Sequence, residues 1–511
     1  MTLHLSILLW VPAAFGLLAL LLPGRATARA AALAGTAIAL AYAIFYVVDF
    51  DTGARGLQYV TDETWIAELG VHYKLGLDGL NLFLVLLTAA LWLAVTLWAA
   101  LGERREREGL FFFHLLVGET AVLGALMAQD LGLFVAFFDL MLIPFFFLTG
   151  IWGRGTPGER QRAVTKLVIY TLVGSLLMLA AAIALAVLSA RETGGELSFV
   201  LSDLAQIRVP EGTQQWIFLC FAAAFLVKMP AFPLHGWMPD GYGTMPLPVL
   251  AVFSGVLSKV AAYGFLRIVT PLLPDASVHF QELMLLIGLT SILYGSAMAF
   301  TTTSTRLILG YSSVAQLGFI LLGIFALNER GAQGAVLQSI NHGLVVAPAF
   351  FVVALLGARA GGSEDVRDMG GIALRAPVLA TMFLIVALAN LAMPGSSNFA
   401  GEFLILLGVF EAKLVIAIVA FTGVVLASVY SLRLFVRAMH NRVGAGVASR
   451  DLTVRDGLVL VPLVVAIIGL ALYPQLPLEK GERAVTDSVR AAGQVAAPAP
   501  TAQQAPAPEA P

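Results

Sequence analysis

The sequence runs to 511 residues, 59% of them hydrophobic and only 12% charged, with a mean hydropathy of +0.89. Soluble chains carry about 25% charged residues, so a large soluble domain is excluded. A net charge of −2 without a basic stripe excludes nucleic acid as a partner. The single cysteine, Cys220, excludes an intrachain disulfide and any cysteine-ligated metal or iron–sulfur cluster.

Apolar runs of roughly 20 residues can each cross a hydrocarbon core about 30 Å thick. The first, LHLSILLWVPAAFGLLALLLPGR, lacks the basic start and small-residue cleavage site of a signal peptide and reads as a spanning helix. Further spans are expected near 28–50, 77–101, 111–128, 131–151, 164–190 and 214–238. Others follow near 244–270, 280–300, 305–327, 332–357, 377–411, 413–440 and 456–474. The expected fold class is an all-α polytopic membrane protein with about fourteen transmembrane helices. Residues 475–511, rich in Ala and Pro toward the end, are expected to be a disordered tail.

Basic residues set an expected orientation. With the N-terminus outside, inward loops hold Arg25, Arg29, Arg104, Arg105, Arg107, Arg154, Arg160, Arg162 and Lys166, then Arg306, Arg359, Arg367, Arg375 and others. The outward loops hold fewer, so both termini are expected outside.

Five ionisable residues fall inside apolar runs: Asp139, Lys228, Lys259, His342 and Glu402, with Glu119 as a sixth. Intramembrane charge is costly and usually functional. Two of these residues adjoin breaks, at Met229-Pro230 with Pro233 and at Met393-Pro394-Gly395. Proline frees a carbonyl that hydrocarbon cannot satisfy, so such breaks line wet or protein-buried cavities. Broken helices in two halves of a chain suggest an inverted repeat of five-helix units. The boundaries read as 1–110 for the first three helices, 111–270 and 271–440 for the two helical units, and 441–474 for a last helix.

A buried carboxylate beside a buried lysine forms a proton switch, because desolvation and pairing push their affinities in opposite directions. Ser254, Ser258, Ser313 and Gln316 offer polar groups for bridging water. Each residue also has a structural alternative: Lys228 and Lys259 as snorkelling lysines, His342 as a bonded core histidine, Glu402 as a half-helix cap. His235 and Asp240 read as partners for freed backbone groups and Asp78 as an N-cap. The run ERRERE at 103–108 reads as a solvated loop.

The segments FFDLMLIPFFFLTGIWG, VKMPAFPLHGWMPD, RLILGYSSVAQLGFI, QSINHGL and MPGSSNFAGEF, in this order, resemble the antiporter-like subunits of respiratory complex I. Among these, the chain is most similar to the M-type subunit, over nearly its whole length. The resemblance implies that Asp139 pairs with Lys228 on a broken seventh helix. It makes Lys259 the central lysine, His342 a relay histidine, and Glu402 the terminal residue facing the outlet or the next subunit. Glutamate at 402 matches the M type, where the L and N types and sodium/proton antiporters carry lysine. The family has glutamate where this chain has Asp139, and histidine where it has Gln316; after Asp240 the segment GYGTMPLPVL lacks the usual histidine. Glu119 has no family counterpart and is expected to compensate for the shorter Asp139.

The implied function is proton translocation coupled to NADH:quinone oxidoreduction, with flavin, iron–sulfur clusters and quinone on partner subunits and no cofactor or metal in this chain. Implied partners are the L- and N-type subunits and the lipid of a bacterial plasma membrane. The alternatives are a cation/proton antiporter subunit and a hydrogenase- or ferredoxin-linked complex.

Overall fold

The computed structural model describes residues 4–102, 104–444, 446–448 and 450–496. Helices α1 (Leu5–Leu21) and α2 (Arg25–Asp49) lead into a β-hairpin, β1 (Gln58–Ile66) and β2 (Val71–Leu77). Then come α3 (Leu82–Ala100), α4 (Glu108–Met127), α5 (Leu131–Leu140), α6 (Leu142–Trp152) and α7 (Pro157–Thr193). The first broken segment comprises α8 (Glu211–Lys228) and α9 (Met238–Thr244), followed by α10 (Leu247–Leu272), α11 (Gln281–Thr301), α12 (Thr305–Phe325) and α13 (Glu329–Arg359). The second comprises α14 (Pro377–Asn390) and α15 (Ser397–Ala412); α16 (Leu414–Met439), α17 (Val454–Leu472) and α18 (Gln475–Ala496) complete the chain.

Among the described residues, eleven helices are long and apolar enough to cross a membrane, with α1 and α14 as shorter apolar helices. The all-helical expectation needs one amendment. Residues 58–77 pair as an antiparallel hairpin, in which Lys74 and His72 both meet Asp62, at 2.7 and 2.8 Å. Cross-strand pairs of opposite charge suit a ribbon exposed on one face.

The expected tail is also corrected. Residues 475–496 form α18, which buries Pro477, Val485, Val489 and Ala492 along one stripe. The spacing of these residues is helical, and the apolar stripe has a surface to cover. Thr270 Oγ1 donates to Ser488 O (2.8 Å), while Lys480 and Arg483 cap the carbonyls of Phe50 and Gly53. The Ala/Pro-rich remainder, 497–511, lies outside the described residues.

Burial separates the helices into an interior and a jacket. All of the α10 span and nearly all of α12 and α13 are buried, whereas only a third of α16 and of α17 is. Glycine allows the central contact: a Cβ on Gly343 of α13 would lie 2.5 Å from the carbonyl oxygen of Gly255 on α10. The expected span 377–411 divides at the Pro-Gly break into α14 and α15. A third break, not expected, separates α5 from α6 at Met141, because Pro144 has no N–H for the Leu140 carbonyl.

On the face opposite the hairpin, Glu364 accepts two bonds from Arg306 (2.8 and 2.9 Å) and one from Arg154 (2.7 Å). Arg306 Nη1 also caps the carbonyls of Tyr242 and Met245, fixing the end of α9 to the start of α10. Burial opposes ionisation of Glu364, but the bonds and charge of Arg306, with the charge of Arg154, outweigh it and hold the carboxyl below its usual range. The folded-state value therefore lies below the unfolded one. This contribution is complete above the ordinary carboxylate range and is lost as pH falls through the lowered value. Glu364→Gln is expected to lower the unfolding free energy of the detergent-solubilised protein by about 3–5 kcal/mol at neutral pH. The deficit should shrink in acid. Thermal unfolding followed across pH checks both statements.

Candidate proton-translocation site

At the first break, Lys228 is the last residue of α8 and its ammonium does not reach a carboxylate. Nζ donates to the carbonyl of Phe138 at 2.7 Å and sits 3.8 Å above the Phe138 ring. The ion pairs found among the described residues do not include the expected Asp139–Lys228 pair, and buried Asp139 Oδ1 has no hydrogen-bond partner. Asp139 is the residue that follows the one whose carbonyl Lys228 binds. Lys228, Met141, Thr171 and Trp237 line a small cavity between α6, α7 and α10.

Backbone groups freed at this break, a carbonyl and an amide, are satisfied locally, though not by the expected residues. Trp237 Nε1 donates to Val227 O (3.0 Å), and Ser291 Oγ accepts from Phe232 N (2.9 Å). His235 instead stacks on Phe232 and leaves Nδ1 unpartnered, while Asp240 is paired with Lys166. Asp78 likewise is not the N-cap of α3, a place taken by Asn81. It binds both Arg267 Nη2 and the Leu80 amide. The 103–108 run is not wholly solvated either: Glu108 is buried against Arg29 at 2.6 Å, and Glu103 lies outside the described residues.

Lys259 occupies α10 between two π-helical turns, Phe253–Leu257 and Phe265–Val269. Such turns leave carbonyls off the regular ladder and occur often at functional sites. Lys259 Nζ takes one of them, Ser254 O, at 2.6 Å; Ser258 Oγ shares it at 3.3 Å. Ser254 Oγ contacts Ser313 Oγ on α12 at 3.2 Å. On α13, the Gly255–Gly343 contact brings His342 to the same level, fully buried with both ring nitrogens unpartnered.

Glu402 lies on the first turns of α15, 2% exposed, so it does not face the subunit surface. Gln338 Nε2 donates to Gln316 Oε1 at 2.7 Å and lies 3.3 Å from Glu402 Oε1. Asn341 Nδ2 caps Ser397 O across the second break at 2.7 Å. Sequence reasoning missed Gln338 and Asn341, although their spacing to His342 (i, i+3, i+4) places all three along one side of a helix.

Glu119 is fully buried with both oxygens unpartnered. The antiparallel register of α3 and α4, fixed by Trp92 Nε1 on Leu115 O and Asn81 Nδ2 on Leu126 O, sets Glu119 opposite Thr88. Gly124 meets Phe137 of α5, and Glu119 lies about 140° around α4 from it at 3.6 residues per turn.

A family model described as NADH:quinone oxidoreductase/Mrp antiporter, TM matches residues 128–427. The chain belongs to this family. It is 34% identical to NADH-quinone oxidoreductase subunit M of Rhodobacter capsulatus, over 92% of this chain and 93% of that one. It is 36% identical to subunit M of Escherichia coli K12, over 86% and 87%. Its fold matches a chain of respiratory complex I from Thermus thermophilus with a TM-score of 0.87 and 29% identity, covering 96% of this chain and all of that one. The family match contains Asp139, Lys228, Lys259, His342 and Glu402, and so both breaks.

Trp237→Phe keeps the ring but leaves the buried Val227 carbonyl unpaired. It is expected to destabilise the protein by about 1–3 kcal/mol. Thermal unfolding in detergent measures the loss, and an unchanged midpoint would show that the carbonyl finds another partner.

Proposed function

We propose that this chain is the M-type proton-translocating subunit of an NADH:quinone oxidoreductase, moving protons along Asp139, Lys228, Lys259, His342 and Glu402. The observation that carries the reading is the burial of Lys228, Lys259, His342 and Glu402 in one interior, with Lys228 and Glu402 beside helix breaks and Lys259 between π turns. The M-type relatives, similar over nearly the whole chain, support it. Electron transfer takes place on partner subunits that carry the flavin, iron–sulfur clusters and quinone site. The L- and N-type subunits are its membrane neighbours, and the Arg306 face is cytoplasmic by the distribution of basic residues.

The mechanism follows from how the lysines are anchored. An amine keeps N–H donors whether or not it is protonated, so the carbonyls of Phe138 and Ser254 hold Lys228 and Lys259 in place through a change of charge. When the Asp139 carboxylate swings onto Lys228, the ammonium is stabilised; when it leaves, Lys228 can pass its proton toward Lys259. Ser254, Ser258 and Gln316 provide sites for the intervening water. At an effective dielectric of 20, a unit charge about 10 Å away is worth about 1.7 kcal/mol. That is about one pKa unit, enough to pass the signal from site to site.

Asp139→Asn and Lys259→Met are expected to lower proton pumping by at least tenfold in inverted membrane vesicles. NADH oxidation with an artificial acceptor, which bypasses the membrane arm, should persist. Asp139→Glu is expected to retain pumping. Co-purification of NADH:quinone activity with the tagged chain tests the assembly; a preparation carrying hydrogenase activity, or none, would reassign the complex.

A further inference from the structure

On the hairpin face, α1, α5 and the hairpin enclose a cavity of about 520 Å³. That volume falls in the range of small-molecule sites, about 300–1,000 Å³. Its end at the hairpin is aromatic. Trp10 of α1 donates from Nε1 to the Tyr73 hydroxyl (3.1 Å), which in turn donates to Ser6 Oγ (3.1 Å). Trp10 also packs on Phe137 of α5, with ring centroids 6.1 Å apart. Trp65 of β1, 55% exposed, lines the same space.

Glu63 is the charged residue of this lining. It stands directly across the ribbon from Tyr73, so both side chains rise from one face of the hairpin. Asp62, on the other face, is held by Lys74 and His72, whereas Glu63 enters no ion pair among the described residues. Beyond the rings the lining is apolar. Leu133, Ala136, Phe137 and Leu140 follow i, i+3, i+4, i+7 spacing and form a single stripe along α5. Asp130 ties the start of α5 to the His72 amide of β2 at 3.0 Å. The stripe therefore descends from the hairpin toward the middle of the bilayer, over about 10 Å. Ala136 is exposed, and Ile143 and Phe147, also exposed, continue the stripe along α6. The cavity thus opens sideways onto the lipid-facing surface.

We propose that this cavity binds a phospholipid with an ammonium headgroup, drawn from the leaflet on the hairpin side. Three aromatic rings and one unpaired carboxylate select a cation. Ring quadrupoles attract an ammonium, and the carboxylate adds opposite charge and a hydrogen-bond acceptor. An anionic headgroup would instead set its charge against Glu63. A soluble amine fills the aromatic end alone and leaves the α5 stripe bare, whereas an acyl chain covers the stripe and runs on along Ile143 and Phe147. Tryptophan and tyrosine are enriched at the depth of lipid headgroups, where Trp10, Trp65 and Tyr73 meet here. The bound chain reaches Leu140 and so packs beside the Met141 break.

The test uses the full chain purified in mild detergent with its native partners, with assembly checked by native gel. The probe is a phosphatidylethanolamine bearing a photoreactive diazirine on one acyl chain, and labelled peptides are mapped by mass spectrometry. Competitors are unlabelled phosphatidylethanolamine, a phosphatidylglycerol with the same chains, and free ethanolamine. Labelling of the 133–140 segment is expected, displaced severalfold better by phosphatidylethanolamine than by phosphatidylglycerol and not by ethanolamine. Glu63→Gln, at an exposed position, should erase the preference between the two lipids. Ala136→Phe, which fills the cavity, should lower labelling of this segment severalfold while labels elsewhere persist. An unlabelled segment in the native protein means that a neighbouring subunit occupies the cavity, and overturns the proposal. Equal displacement by the two lipids, or a preference that survives Glu63→Gln, overturns recognition of the headgroup. Displacement by ethanolamine alone would replace the lipid with a soluble amine, and unchanged labelling in Ala136→Phe would move the bound chain out of the cavity.

Discussion

Every backbone carbonyl released inside a hydrocarbon layer must find a donor within the protein. The arrangement of this subunit follows from that constraint. Helical continuity fails at Met141, at 229–237, at 391–396 and in the two π turns of α10. Released carbonyls near these places are taken by Lys228, Trp237 and Lys259, and Asn341 ties α13 to the first turn of α15. The same irregularities that would be costly alone therefore create the polar positions a proton route needs. Helices α10, α12 and α13, which carry Lys259, Gln316 and His342, are the ones sealed most completely from the surroundings.

The jacket has a different character. Helices α15 and α16 present Phe403, Phe410, Val415, Ile418, Phe421 and Val425 outward. Such faces suit lipid tails or the apolar flank of a neighbouring membrane subunit. The polar ties between elements concentrate at the two rims, in the Arg306–Glu364–Arg154 cluster on one side and the Arg267–Asp78 pair under the hairpin on the other. Rigid rims around a polar interior let side chains inside change partners while the helix ends stay fixed.

Much of this was legible in the residues, for identifiable reasons. Lys228 and Lys259 stand out because a charge in an apolar run has no cheap explanation, and Pro230 and Pro394 because proline cannot continue a ladder. The partner of Lys228 was not legible. Choosing between the Asp139 carboxylate and the Phe138 carbonyl depends on how α5 ends, which is set by its packing against α4 and α7. Gln338 and Asn341 were missed since neutral polar residues in spans are common, and only the facing helices give them partners. The hairpin at 58–77 hid in a stretch whose mixed polarity fits a loop equally well. The amphipathic spacing of Pro477, Val485, Val489 and Ala492 was masked by the Ala/Pro-rich sequence that follows.

The two π turns flanking Lys259 give α10 a property that a regular helix lacks. Each holds one residue more than an α-turn, so relaxing one turn while winding another passes that surplus residue along the chain like a ruck in a carpet. The ends of α10 are pinned, by Arg306 at Met245 and by α18 at Thr270. Passing the surplus across Lys259 would therefore swing its side chain by about 100°, one residue's share of a helical turn, without translating either end. Mounted this way, the lysine would act as a crank inside a stationary axle, turning by about a quarter of a circle from one neighbour to the next.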